Sequence, residues 1–144
     1  MKKTSHPQTV VFVCEQGAAK SVVAAAHFNK LADESDLNVR AIARGTTPGE
    51  EILPKVLQGL QAENLTASAP KPERLSPTDI AGAVRVVAFC DLPEAYRNQA
   101  AVEQWSDVPL FREDYNKSRD AILVHINDLL NALKKQRDFA STTL

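Results

Sequence analysis

Two short apolar runs rich in valine stand out along the chain. Val10-Val11-Phe12-Val13 and Val84-Arg85-Val86-Val87-Ala88-Phe89-Cys90 are rich in β-branched residues and too short for helices. Both predict buried strands, the first over Thr9–Val13 and the other over Val84–Cys90. Between them the period lengthens. From Ser21 to about Asp33, Ala24, Ala25, Phe28, Leu31 and Ala32 share one face of a helix. Asn38 to Ala43 reads as a second strand, closed by the turn Arg44-Gly45-Thr46-Thr47-Pro48. Ile52, Val56 and Leu60 then repeat at a helical interval. That helix is expected to start near Pro48 with Thr47 as its N-cap, which leaves Pro54 within or near the tolerant first turn.

The second half is less sharply patterned. Ala67 to Pro77 is a connection punctuated by prolines, and Thr78 to Ala83 suggests a short helix. A short strand is expected before Trp105. Asp114 to about Gln136 is the longest helix, with Ile122, Ile126, Leu129, Leu130 and Leu133 on its buried stripe. Lys134-Lys135-Gln136-Arg137 then reads as favourable charge at its C-terminus. Residues 1–8 and 137–144 are expected to be flexible. Strands that alternate with helices imply an α/β fold with a parallel sheet covered on both faces. No repeat, low-complexity tract or linker divides residues 1–144, so a single domain is expected.

Composition narrows the class. The chain has 144 residues, enough for one ordinary core, and a formal net charge of -1. Charges of both signs are mixed, so nothing argues for nucleic acid or an anionic membrane as partner. Two cysteines make no disulfide framework. The polar start Met1-Lys2-Lys3-Thr4-Ser5-His6-Pro7-Gln8 lacks the apolar core of a signal peptide, and no segment reaches the length of a membrane span. The expected address is the cytoplasm. His6, His27 and His125 show no metal-ligand spacing, so no metal and no cofactor are expected.

Chemistry concentrates at the end of the first strand. Cys14 opens the loop Cys14-Glu15-Gln16-Gly17-Ala18-Ala19-Lys20-Ser21, which runs into the first helix. A strand, a tight loop and a helix start form an anion cradle, because loop N–H groups turn inward and the helix N-terminus adds positive charge. The same field favours the thiolate of Cys14. Lys20 adds a cation, and Ser21 can donate a hydrogen bond to the sulfur. Gly17 suits the left-handed backbone that such loops need.

This loop resembles that of the low-molecular-weight protein tyrosine phosphatases and of the arsenate reductases that share their fold. Their pattern is C-x5-R-S after the first strand, and here it reads C-E-Q-G-A-A-K-S behind V-V-F-V. Lys20 stands where the family has arginine, and Gly17 where it has asparagine. Lysine brings a point charge where arginine brings a planar fork for two oxygens. The resemblance covers Thr9 to roughly Leu133. It implies a three-layer, flavodoxin-like fold with a four-stranded parallel sheet in the order 2-1-3-4. Cys14 and Cys90 would then flank the crevice at the carboxyl ends of adjacent strands.

The function so implied is a cysteine-dependent phosphatase acting on phosphomonoesters of the phosphotyrosine type. Cys14 would be the nucleophile and Lys20 the cation. The backbone of Glu15, Gln16, Gly17, Ala18, Ala19, Lys20 and Ser21 would hold phosphate. The expected partners are phosphate, phosphomonoester or arsenate, with a phosphoprotein as carrier, and the chain is expected as a monomer or weak dimer. Two alternatives stay open: an arsenate reductase that uses an external thiol, and a non-catalytic oxyanion-binding domain. In the reductases a second cysteine follows a valine-rich strand, as Cys90 does here, so Cys90 is either a redox partner or a structural thiol.

The family's general acid lies in a late Asp-Pro loop. Here Trp105-Ser106-Asp107-Val108-Pro109-Leu110-Phe111 occupies that place. Asp107 is the expected acid, while an alignment without a gap puts the pair on Leu110-Phe111. Glu113, Asp114 and Tyr115 are further alternatives, Asp114 also as a helix cap. Trp105 is either a core residue or a substrate platform. Arg44 either faces the anion site or is a solvated charge.

Overall fold

The computed structural model describes residues 7–97, 101–111 and 113–142. Its elements run β1 (Gln8–Cys14), α1 (Lys20–Glu34), β2 (Val39–Gly45), α2 (Pro54–Ala62), α3 (Pro77–Ala81), β3 (Ala83–Ala88), α4 (Glu94–Arg97), β4 (Val102–Gln104) and α5 (Tyr115–Thr142). The four strands form one parallel sheet in the order β2-β1-β3-β4. This is the flavodoxin-like α/β arrangement.

Strand β1 is the centre of the molecule. Val10, Val11, Phe12 and Val13 are fully buried, as expected of a parallel strand covered on both faces. Alternate side chains point to opposite faces. Val10, Phe12 and Cys14 join the larger core with Phe28 of α1, Leu60 of α2 and Ile122 and Ile126 of α5. Val11 and Val13 join the smaller core with Leu75, Ile80, Val86, Ala88 and Leu92. The sulfur of Cys14 is thereby sent to the face that carries α1 and α5. Phe12 fixes that face, with ring centroids 6.0 Å from Phe28 and 5.5 Å from Trp105. Truncating such a ring to alanine costs about 3–5 kcal/mol.

Several boundaries differ from the sequence reading. Helix α2 begins at Pro54 behind Leu53, not near Pro48 with Thr47 as cap. The residues between are drawn off by the Cys14 loop: Thr46, Thr47, Gly49 and Leu53 donate their N–H groups to its carbonyls. Helix α3 starts at Pro77 behind a capping box, in which Ser76 accepts from the Asp79 N–H and the Asp79 carboxylate accepts from the Ser76 N–H. Strand β3 stops at Ala88, so Cys90 lies beyond its end. Gln8, expected in a flexible leader, begins β1. Helix α5 continues through Arg137 to Thr142, so the basic cluster at 134–137 lies inside the helix and not in its last turn.

A polar cluster ties α1, α2 and α5 together. His27, buried in α1, lies 3.0 Å from Glu63 at the end of α2, and Arg119 of α5 reaches the same carboxylate at 3.1 Å. Burial lowers the His27 pKa, opposed by the Glu63 charge. Gly59 lets α2 close on α5, because a Cβ there would lie 2.3 Å from the Tyr115 ring. Burial, reinforced by Glu63, raises the Tyr115 pKa. Tyr115 also packs against Phe111, with ring centroids 5.2 Å apart. The cluster thus braces the chain just after the loop that faces the Cys14 cleft.

Candidate active site

Loop 14–21 is held open by its own carbonyls. Cys14 O accepts from the Thr46 N–H at 3.2 Å and Glu15 O from Thr47 at 2.7 Å. Gln16 O accepts from Gly49 at 3.0 Å and Ala18 O from Leu53 at 3.0 Å. With the carbonyls turned toward this segment, the N–H groups of residues 15–19 give no hydrogen bond to backbone acceptors among the described residues. Gly17 and Ala18 are buried nonetheless. Buried N–H groups left over in this way require a partner, and an anion suits them.

Two glycines make the turn. Gly17 has φ +63°, and a Cβ there would lie 2.9 Å from Gly45 N. A Cβ on Gly45 would lie 2.7 Å from the Gln16 carbonyl carbon. The loop therefore lies backbone on backbone against the end of β2. Helix α1 starts directly behind it with Ala19 at the N-cap and no side-chain cap. Its first N–H groups thus have no side-chain cap among the described residues. Ser21, which could have capped, is fully buried and lies with Oγ 3.0 Å from Cys14 Sγ.

The cleft over this loop measures about 300 Å³. One wall is Cys14, Glu15, Gln16, Ala18, Ala19 and Lys20. Cys14 is only 8% exposed and lies at the bottom, while Glu15 and Gln16 are exposed. Lys20 is half-buried at the first position of α1. The rest of the lining is Leu53, which adjoins the loop through its N–H bond to Ala18 O, with Phe89, Cys90, Leu110 and Phe111. Burial pushes the Cys90 thiol up to about 11, with the nearby Cys14 adding to the effect.

Asp107 is not part of either wall. Its carboxylate lies 2.7 Å from His125 Nε2 on α5, and that hydrogen bond lowers its pKa. The late loop turns Leu110 and Phe111 to the cleft instead. The turn is fixed by the Ser118 hydroxyl, which donates to Pro109 O at 2.8 Å. Asp114 caps α5, accepting from the Lys117 N–H at 3.1 Å. Trp105 is 1% exposed and belongs to the core, stacked on His125. Arg44 neither faces the anion loop nor stands free in solvent. It pairs with Asp79 at 3.0 Å and Glu73 at 2.9 Å, beside α3.

The structure thus brings together Cys14, the loop backbone, Lys20, Ser21 and Cys90, and leaves out Asp107. Sequence reasoning missed Leu53 and Phe89 as walls. Phe89 carried a signal, since it continues the β3 run beside Cys90. Leu53 carried none, because its place depends on where α2 begins.

The model of the family described as low molecular weight phosphotyrosine protein phosphatase matches residues 9–142. No curated protein matches the sequence. Among solved structures, YfkJ from Bacillus subtilis is similar with a TM-score of 0.79 at 17% identity, over 93% of this chain and 99% of that one. A low molecular weight protein tyrosine phosphatase from T. tengcongensis gives 0.69 at 21%, over 87% and 99%. A thioredoxin-dependent arsenate reductase from Corynebacterium glutamicum gives 0.69 at 22%, over 93% of this chain and 65% of that one. At these identities the structural likeness establishes the fold.

Proposed function

The chain belongs to the low molecular weight phosphotyrosine protein phosphatase family, and on that premise we propose that it is a cysteine-dependent phosphatase acting on phosphomonoesters through a phosphocysteine. The observation that carries this reading is the loop itself. Its carbonyls are taken up behind it, its N–H groups are left for an anion, and Cys14 Sγ sits within 3.0 Å of Ser21 Oγ at the bottom. In the proposed reaction the Cys14 thiolate attacks phosphorus in line. Loop amides, the α1 N-terminus and the Lys20 ammonium stabilise the equatorial oxygens, where charge accumulates. The bond from phosphorus to the ester oxygen breaks and its electron pair leaves with that oxygen. Water then attacks phosphorus and returns the thiolate. The cytoplasm, where thiols stay reduced, suits such a nucleophile. Among the described residues no helix is long and apolar enough to cross a membrane.

A second reading has one observation in its favour. Cys90 lines the same cleft as Cys14. Arsenate bound through Cys14 could be reduced by two electrons to arsenite while the two thiols become a disulfide, which an external thiol would reopen. It ranks second because a thiol held near 11 is protonated at neutral pH and attacks slowly.

The test is to trap the intermediate. The protein is mixed with p-nitrophenyl phosphate, denatured rapidly and mapped by mass. One phosphoryl group on Cys14, absent in Cys14→Ala, is the expected result. Tight phosphate binding with no phosphocysteine and no turnover would establish the oxyanion-binding domain instead. Arsenite release with a Cys14–Cys90 disulfide would establish the reductase.

A further inference from the structure

Glu15 puts a negative charge into a cleft suited to an anion. It follows the nucleophile directly and lines the cleft with an exposed side chain, while Cys14 lies buried at the bottom. Its backbone is fixed, since Glu15 O accepts from the Thr47 N–H at 2.7 Å and from the Thr46 hydroxyl at 3.4 Å. The pairing of β1 with β3, Val13 against Ala88, brings the start of the loop beside Cys90. The Cys90 thiol is raised chiefly by burial, and the charges of Cys14, Glu15 and Asp91 add to it. The Glu15 carboxylate thus stands close enough to act on a sulfur of the same cleft.

Among the described residues neither Glu15 nor Asp91 enters an ion pair. Arg74 reaches the same edge, but its guanidinium donates to Thr46 O at 3.3 Å and it does not line the cleft. Lys20 does line it. A phosphate dianion in the loop therefore meets Lys20 and Glu15 together, and the carboxylate offsets what the lysine contributes. A substrate restores the balance by bringing a cation of its own. Its phosphate enters the loop, so the part left at the mouth beside Glu15 is the leaving group. Leu53, Leu110 and Phe111 line the same space and offer apolar surface to a hydrophobic stem.

Resting on the phosphatase reading above, we infer that Glu15 sets the specificity of the site, favouring phosphate esters whose leaving group carries an ammonium or guanidinium group over neutral and acidic ones. The stem of such a leaving group lies on the apolar lining, and its cation faces the Glu15 carboxylate. Asp91, exposed just beyond Cys90, adds charge of the same sign. Glu113 is exposed too, but only its N–H is engaged with the late loop, at 3.1 Å from Leu110 O, and its side chain is not part of the lining.

The experiment compares kcat/KM at low ionic strength for phosphotyramine, p-ethylphenyl phosphate and p-carboxyethylphenyl phosphate, with phosphocysteine trapped in parallel. The three share an alkylphenol leaving group and differ in its charge: positive, none and negative. Phosphotyramine should exceed the neutral ester by about threefold to fivefold, and the acidic ester should fall below it by a similar factor. In Glu15→Gln the three should draw together to within about twofold. That comparison reads the charge at position 15 itself, whatever other charges stand at the mouth. Salt at about 1 M, where the Debye length is about 3 Å, should flatten the wild-type series in the same way. Glu113→Gln should keep the wild-type order. Phosphocysteine from all three esters with no order by charge would overturn the specificity inference and leave the phosphatase reading standing. So would an order that Glu15→Gln preserves, or one that Glu113→Gln abolishes. No phosphocysteine from any of the three would overturn both.

Discussion

The two walls of the cleft are built on different principles. The wall of residues 14–20 is made mostly of backbone: a left-handed glycine, carbonyls held from behind and an uncapped helix start. The other side of the lining is made of side chains: Phe89, Cys90, Leu110 and Phe111. The first wall organises charge, and the second excludes water and fits shape. The backbone lining suits an anion, and the side-chain lining offers apolar surface and the Cys90 thiol.

The comparison breaks first if the backbone wall can be altered freely. Gly17→Ala must hold φ +63° with a Cβ 2.9 Å from Gly45 N. Strain of about 1–3 kcal/mol converts to a loss of kcat/KM of roughly fivefold to a hundredfold or more. Phosphate should also cease to protect Cys14 from alkylation. Wild-type protection in a folded Gly17→Ala protein would mean that the loop amides do not hold the anion.

The side-chain wall is tested by giving it what it lacks. Leu110→Asp places a carboxyl at an exposed position of the mouth. Hydrolysis of phenyl phosphate should rise by at least about tenfold, and that of p-nitrophenyl phosphate should change little. A gain that is equal for both esters would point to binding, and the mouth would then not be the leaving-group side.

A smaller effect should come from the cation. Lys20→Arg replaces a point charge by a fork that grips two oxygens, worth about 1 kcal/mol, or roughly fivefold in kcat/KM. A correctly folded variant with a lower rate would show that the loop is shaped around lysine.

The smallest effect is expected at Asp107. Asp107→Asn removes an exposed partner of His125 outside the cleft. Both aryl esters should be hydrolysed within about twofold of wild type, as for surface changes generally. A selective loss on phenyl phosphate would return Asp107 to the role of acid and bring the two walls closer in design.

Much of the backbone wall could be read in the sequence, because its determinants are local. The run Val10 to Val13 specifies a buried strand, Gly17 marks the left-handed turn, and the apolar stripe from Ala24 to Ala32 specifies a helix. Together they place a thiol, a loop and a helix N-terminus in one cradle. The sheet order came from the family resemblance, since periodicity alone does not say which strands are neighbours. The start of α2 was misplaced because Thr47 has the chemistry of a cap. Its N–H is spent on Glu15 O across the fold, a pairing over long range that no local pattern displays.

The places of Leu110 and Phe111 in the cleft were decided by tertiary structure alone. Trp105 to Phe111 carry no regular period, so nothing in their order tells which side chains enter the cleft. The Ser118–Pro109 bond and the packing of Phe111 on Tyr115 turn the loop so that Leu110 and Phe111 face Cys14. The same turn leaves Asp107 beside His125. Likewise Arg44 looked available for the anion until α3 supplied Asp79 as its partner. The sequence by itself determined the strand, the loop behind it and the place of Cys14 at their junction, since strand, turn and helix signals are carried by neighbours in the chain. Only the folded chain determined that Leu53, Leu110 and Phe111 complete the cleft and that Asp107 stays outside it, because that depends on contacts between residues far apart in sequence.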